Sequence, residues 1–435
     1  MSGQPGRPRS DTPAASDEGG RGLVLFWTAT SVSQVGDEVY TLAIPLIAYA
    51  AFRSAPAMTF LYGVSMLPHL VFGIAGGAWA DRSGRKLPIL SLSAVACLIL
   101  AGLAVLILRQ PPTLAMLAAG VFLLSVVTSA LLASYDGALN DVVRPQARLR
   151  MISALESSRT ASVILGPALA GALFMIWHGA LPLLADAASF ALAAVIIAWV
   201  PFRRRAEPAG AAGAGGPGTP GMAGMITGGI GYAWRVGRIR FGILLSSANN
   251  LVLSSLEILV VFRLRGSLHA SGAVTGLIFS AGGACALLTA LVMPRFAGRA
   301  GLRAAMTAGM AGIGVSALGL GLAPDIVAVG AAQCLGTSSS SAFNIAWRTH
   351  RQNTCDPVMI SRISGVCRGI AYCCVTIGAW LCSGLLAVGV PARTYLLAGG
   401  VIVCGLGAVT PRLLRERPAA GRVTELQDEE STSVG

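Results

Sequence analysis

Gly77-Ala78-Trp79-Ala80-Asp81-Arg82-Ser83-Gly84-Arg85-Lys86 decides how this chain of 435 residues is read. The stretch joins two apolar runs, 58–80 and 87–108. Each is close to the roughly 20 residues that an α-helix needs to cross the hydrocarbon core of a bilayer. Gly77 lets two helix backbones approach closely, and Gly84 permits a tight turn. Asp81 stands where a carboxylate can accept hydrogen bonds from a neighbouring helix N-terminus. Arg82, Arg85 and Lys86 hold the loop on the cytoplasmic side of a membrane.

Working outward, further apolar runs occupy 24–50, 112–135, 152–177, 181–201, 239–262, 273–293, 302–322, 326–347, 362–387 and 392–413. The fold class expected is therefore an all-α membrane protein of twelve spans. Composition agrees: 54% of residues are hydrophobic and only 12% charged, with a mean hydropathy of +0.70. A soluble chain carries roughly a quarter charged residues. Lys86 is the sole lysine and is followed by Leu87, so no Walker A loop exists and ATP hydrolysis by that route is excluded. The four histidines lack metalloprotease spacing, and no nucleophile–base or metal constellation appears, so neither enzyme activity nor a cofactor is expected.

The net charge of +13 reports topology, and no nucleic-acid partner is inferred from it. With the N-terminus inside, Arg53, Arg109, Arg263, Arg265 and Arg393 fall outside, Arg159 and Arg368 lie within spans, and the remaining basic residues are cytoplasmic. That asymmetry sets both termini inside by the positive-inside rule. Residues 1–21 and 414–435 read as disordered cytoplasmic tails, and no signal peptide is visible. Between the six-helix bundles 22–201 and 239–413 lies a linker, 202–238, opened by Arg203-Arg204-Arg205 and rich in Ala, Gly and Pro. Its end carries an amphipathic stretch suited to a membrane surface. The bundles echo each other: Arg150 and Gly166 recur as Arg362 and Gly378, and the loop of Asp81 recurs as Gly298-Arg299-Ala300-Gly301-Leu302-Arg303, without its acid. Two such pseudo-repeats place a binding site at their interface. Eight of the nine cysteines fall in spans and read as packing residues.

The stretch from Gly77 to Lys86 matches, at every defining position, the helix 2–3 motif of the major facilitator superfamily. Arg159 followed by Gly166-Pro167-Ala168-Leu169-Ala170-Gly171 resembles that family's antiporter motif on helix 5, with Ala170 departing from the usual glycine pair. Ser33-Gln34-Val35-Gly36-Asp37 and Asn140-Asp141-Val142-Val143 are similar to the branch of drug and siderophore exporters that includes macrolide-efflux and enterobactin-export proteins. The resemblance implies a fold that alternates between inward- and outward-facing states, and efflux.

Ionisable side chains within spans cost roughly 2.5–3.5 kcal/mol each on insertion scales and are functional candidates by default. Asp37, Glu38, Asp186 and Glu257 are the proton-coupling candidates. Asp37 is the deepest. Asp37 and Glu38 point about 100° apart on a helix, so one faces the lumen and the other a helix contact. Arg159 and Arg368 pair with Glu156 and Asp141 in a cytoplasmic gate, for which Arg362 is a further candidate, or else bind an anionic substrate. His69 reads as a packed, hydrogen-bonded residue. The function expected is secondary active efflux, by proton antiport, of an amphipathic small molecule across a bacterial inner membrane, by a monomer in the lipid bilayer. Proton-linked uptake is the rival within the class, and a non-transporting sensor on the same fold is the rival outside it.

Overall fold

Apolar runs without charged residues can satisfy their backbone in a bilayer only as helices, and helices are what form. The computed structural model describes residues 14–83, 86–143, 147–177, 179–202, 231–232, 234–355 and 360–413. Within these, side chains 14–20, 70–83, 136, 140, 149, 238, 296–300, 360–362 and 412–413 also lie outside the description. The helices are α1 (Ala14–Phe52), α2 (Ala55–Ser83), α3 (Lys86–Arg109), α4 (Leu114–Val142), α5 (Arg148–Trp177), α6 (Ala180–Ala198), α7 (Gly237–Leu253), α8 (Leu256–Gly266), α9 (Gly272–Leu322), α10 (Ile326–Thr354), α11 (Ile360–Ala387) and α12 (Ala392–Leu413). Among the described residues, ten stretches are long and apolar enough to cross a membrane.

Two of these elements differ from simple spans. Residues Ile239–Gly266 make one membrane-length stretch, but it breaks at Ser254–Ser255 into α7 and α8. The sequence read it as an unbroken run ending at 262. Conversely, α9 contains two membrane-length stretches, Gly272–Arg295 and Gly301–Leu322. They part at Gly301, whose φ of 80° lies in the region that glycine enters without a Cβ penalty. The glycine singled out in the second-half loop therefore makes the turn there. Helix starts are capped as their sequences dictate: Thr113, Ser271 and Asp325 accept hydrogen bonds from the backbone N–H groups of Met116, Val274 and Ala328.

Helix α10 is 29 residues long yet much less apolar, because it carries Thr337-Ser338-Ser339-Ser340-Ser341. Its hydroxyls face protein: Thr337 donates to the Gly282 carbonyl at 3.0 Å and Ser341 to that of Ala286 at 3.3 Å, both on α9. Hydroxyl–carbonyl bonds of this kind hold helices together in lipid, where apolar burial contributes little.

Helices α1–α6 pack around one apolar cluster that includes Phe26, Leu46, Leu100, Leu117 and Phe190, all nearly inaccessible. Helices α7–α12 enclose two further clusters, one around Met306, Phe343 and Trp347, the other around Leu259, Leu320 and Val329. The two halves meet along α5 with α9 and along α2 with α11. The tails 1–13 and 414–435, and linker residues 203–230, fall outside the described residues.

Candidate functional site

The halves close on each other at one end. Pro167 and Gly171 of α5 lie against Gly276 and Gly272 of α9 so closely that a methyl group on Gly276 would strike the Pro167 carbonyl and one on Gly171 the Gly272 carbonyl. On the second seam, Phe60 of α2 stacks on Trp380 of α11 with ring centroids 6.4 Å apart, and Ser383 donates to the Pro56 carbonyl at 2.8 Å. Tyr49 of α1 meets Phe262 of α8 edge-on at 6.0 Å. The Arg265 guanidinium stands over both Tyr49 and Phe174, at 5.9 and 5.8 Å from their centroids. All of these residues lie towards the connections at 53–54, 178–179 and 267–271, at the end away from the basic loops.

Behind this seal a central cavity of about 440 Å³ lies between the halves. It is lined by Asp37 and Glu38 from α1, Tyr62 and Met66 from α2, Pro167 from α5, Glu257 from α8, Phe279 from α9 and Gln333 from α10. Three of the four acids singled out in the sequence thus share one chamber. A second cavity of about 300 Å³, within the first half, is lined by Gln34, Asp37, Tyr135, Glu156 and Arg159. Asp37 is the one ionisable residue lining both among the described residues.

The two neighbouring acids of α1 divide as helix geometry requires. Asp37 looks towards α6, where Asp186 is fully buried and close enough to feel its charge. Asp186 Oδ1 accepts from Ser189 at 3.2 Å, while its Oδ2 has no partner among the described residues. That approach is possible because Gly36 presents no side chain: a Cβ there would collide with Ser189 and Asp186. Glu38 looks towards α5, its Cβ filling the space beside Gly166, and feels Arg159 and Glu257. The sequence separated a lumen acid from a helix-contact acid; here Asp37 and Glu38 both reach the cavity, and the contacting acid is Asp186.

A family model described as Major Facilitator Superfamily matches residues 26–379. The chain belongs to that superfamily. Solved structures similar to this facilitator include a variant of the nucleoside transporter NupG, at 12% identity over 90% of this chain and 98% of that one, with a TM-score of 0.70. A bacterial homologue of the iron transporter ferroportin in its inward-facing state matches at 16% identity, over 91% and 99%, with a TM-score of 0.68. A bacterial homologue of the human lysosomal transporter Spinster, also inward-facing, matches at 13%, over 94% and 100%, with a TM-score of 0.66. No curated protein sequence matches the chain. The facilitator is a multi-pass membrane transporter rather than an enzyme, and its likeness to these structures is one of fold.

On α5, Gly166 admits Glu38, and Pro167 and Gly171 form the seam with α9. Arg159 pairs with Glu156 at 3.6 Å, one turn away on α5, and both side chains are well exposed. Asp141 is half-buried near the end of α4, and Arg368 is exposed on α11 without an ion pair among the described residues. The side chain of Arg362 lies outside the described residues, as do those of Gly77, Asp81 and Arg82 on α2 and the whole of Gly84 and Arg85. Lys86 is described: its ammonium donates to the carbonyls of Ala198 and Val200 at 2.8 and 3.0 Å, tying the start of α3 to the end of α6. A cation at helix-terminal carbonyls complements the negative end of the helix dipole. His69 contacts the Ser65 carbonyl at 3.2 Å and packs on Tyr372, and it also lines the central cavity. In the sequence Arg265 carries only an orientation signal, and its place over Tyr49 and Phe174 comes from tertiary packing.

Proposed function

We propose that this facilitator is a secondary active exporter that exchanges protons for an amphipathic small molecule across a bacterial cytoplasmic membrane. α2 and α10 then complete twelve spans, both termini are cytoplasmic, and the state described is inward-facing. The protein works as a monomer in the bilayer. The observation that carries this reading is Asp37, at the middle of the span Arg21–Phe52 and lining both cavities. A carboxyl group there meets the substrate chamber on one side and the space reaching Glu156 and Arg159 on the other. Proton entry along the membrane potential supplies about 2.3 kcal/mol per charge per 100 mV. Protonation of Asp37 favours one facing state and bound substrate the other, so neither moves downhill alone. The motif from Gly77 to Lys86 acts as the gating loop, and Arg159, Glu156, Asp141, Arg362 and Arg368 form the cytoplasmic gate.

Export is favoured by the antiporter-like run of Arg159 and Gly166 to Gly171 on α5. Everted vesicles carrying the protein test it with an imposed proton gradient and a panel of amphipathic solutes. Solute accumulation that collapses with a protonophore is expected. Accumulation in right-side-out vesicles alone would establish uptake instead, and movement in neither would leave a non-transporting protein.

A further inference from the structure

The central cavity carries three carboxylate side chains, and no lysine or arginine lines it among the described residues. Arg159 pairs with Glu156 and lines the other cavity, and the base in this chamber among the described residues is His69, held at the Ser65 carbonyl. Glu257 lies in the first turn of α8, directly after the break at Ser254–Ser255. Although it lies within a membrane-length stretch, its side chain is exposed, and the space it is exposed to is this chamber. Its carboxyl group has no hydrogen bond or ion pair among the described residues. Glu38 and Glu257 come from different halves of the molecule and line the same chamber. Two like charges facing one low-dielectric space repel, and a cation between them removes the repulsion. Most of the remaining wall is apolar or aromatic, including Tyr62, Met66 and Phe279, with Gln333, His69 and several Ser and Thr hydroxyls among it. A volume of about 440 Å³ suits a drug-sized body.

We propose that the substrate is an organic cation, its positive centre held between Glu38 of the first half and Glu257 of the second, its apolar body against the aromatic wall. The inference rests on the transport reading and names its substrate class. It assigns the second-half acid a specificity role separate from proton carriage at Asp37. Because each carboxylate belongs to one half, a cation between them favours the state in which the halves approach, which is the differential affinity that a conformational cycle requires.

The experiment uses the full chain in lipid nanodiscs with tritiated tetraphenylphosphonium, a permanently charged lipophilic cation, and triphenylphosphine oxide as a neutral competitor of similar shape. The cation should bind tighter than the neutral compound. Glu257→Gln and Glu38→Gln should each weaken cation binding by at least about tenfold while leaving the neutral competitor unchanged. Glu257→Asp, which keeps the charge, should retain most of the cation affinity and controls for misfolding. Equal affinity for the two compounds, no binding of either, or undiminished cation binding in Glu257→Gln would overturn the proposal. Charge-selective binding without proton-driven movement in vesicles would refute proton exchange and leave the cation site standing; proton-driven export of a neutral solute without tetraphenylphosphonium binding would do the reverse.

Discussion

At Gly36 there is no room for a side chain, because Ser189 and Asp186 of α6 occupy the place where a Cβ would stand. Gly36→Val should therefore lower stability by about 1–3 kcal/mol through forced separation of α1 and α6. The check is the fraction of purified protein that stays monodisperse after graded heating, and a curve matching the parent would refute the contact. The next residue carries the coupling. Asp37→Asn fixes a neutral side chain and should abolish proton-driven accumulation in vesicles while substrate binding remains measurable. Undiminished driven transport would make Asp37 structural and move the search to Asp186, its buried neighbour. These roles were only half legible beforehand. The acids stand out in the sequence because charge within an apolar run is conspicuous, but Asp186 is brought to Asp37 by a helix that begins more than a hundred residues later.

Among the elements, α5 and the loop between α2 and α3 carry the sharpest expectations. Gly171 faces the Gly272–Ala273 backbone of α9, so Gly171→Leu should wedge the seam apart. A cysteine replacing Ala48, which lines the central cavity, should then react several-fold faster with a membrane-impermeant thiol reagent added outside intact cells, in a background freed of native cysteines. An unchanged rate would show that the seam is not what closes that end. In the loop, Asp81→Asn should leave an inserted, folded protein with badly reduced turnover, whereas Gly298→Asp should change little, since the second-half loop works without an acid. Reconstituted transport rates decide both, and normal turnover in Asp81→Asn would end the gating role assigned to the motif.

For the whole molecule, the balance between facing states depends on the few contacts that bridge the halves at the sealed end. Arg265 over Tyr49 and Phe174 is one of them. A desolvated cation–π contact contributes from about 0.5 to 2 kcal/mol. Arg265→Ala should therefore shift the inward–outward ratio by roughly two- to thirtyfold towards opening of that end. Pulsed electron-spin distances between labels at Ser54 and Ser267 would show it as a grown long-distance population. Distributions identical to the parent would mean that the arginine contributes no latch.

By itself the sequence determined that this chain lives in a membrane as a helical transporter of the facilitator type. Hydropathy, basic-loop asymmetry and the run from Gly77 to Lys86 are local properties, written in residues adjacent along the chain, and a bilayer leaves such runs no structure but the helix. The turn at Gly301 was legible for the same reason. The break at Ser254–Ser255 was not, since both residues sit inside a continuous apolar run and nothing local marks a stop there. Nor was the grouping of Asp37, Glu38 and Glu257 around one chamber that no lysine or arginine lines among the described residues. Which acids share a space depends on how α1, α5, α6 and α8 turn about their axes when the halves close. That rotation is fixed by glycine contacts between helices far apart in sequence, so only the tertiary structure decided it.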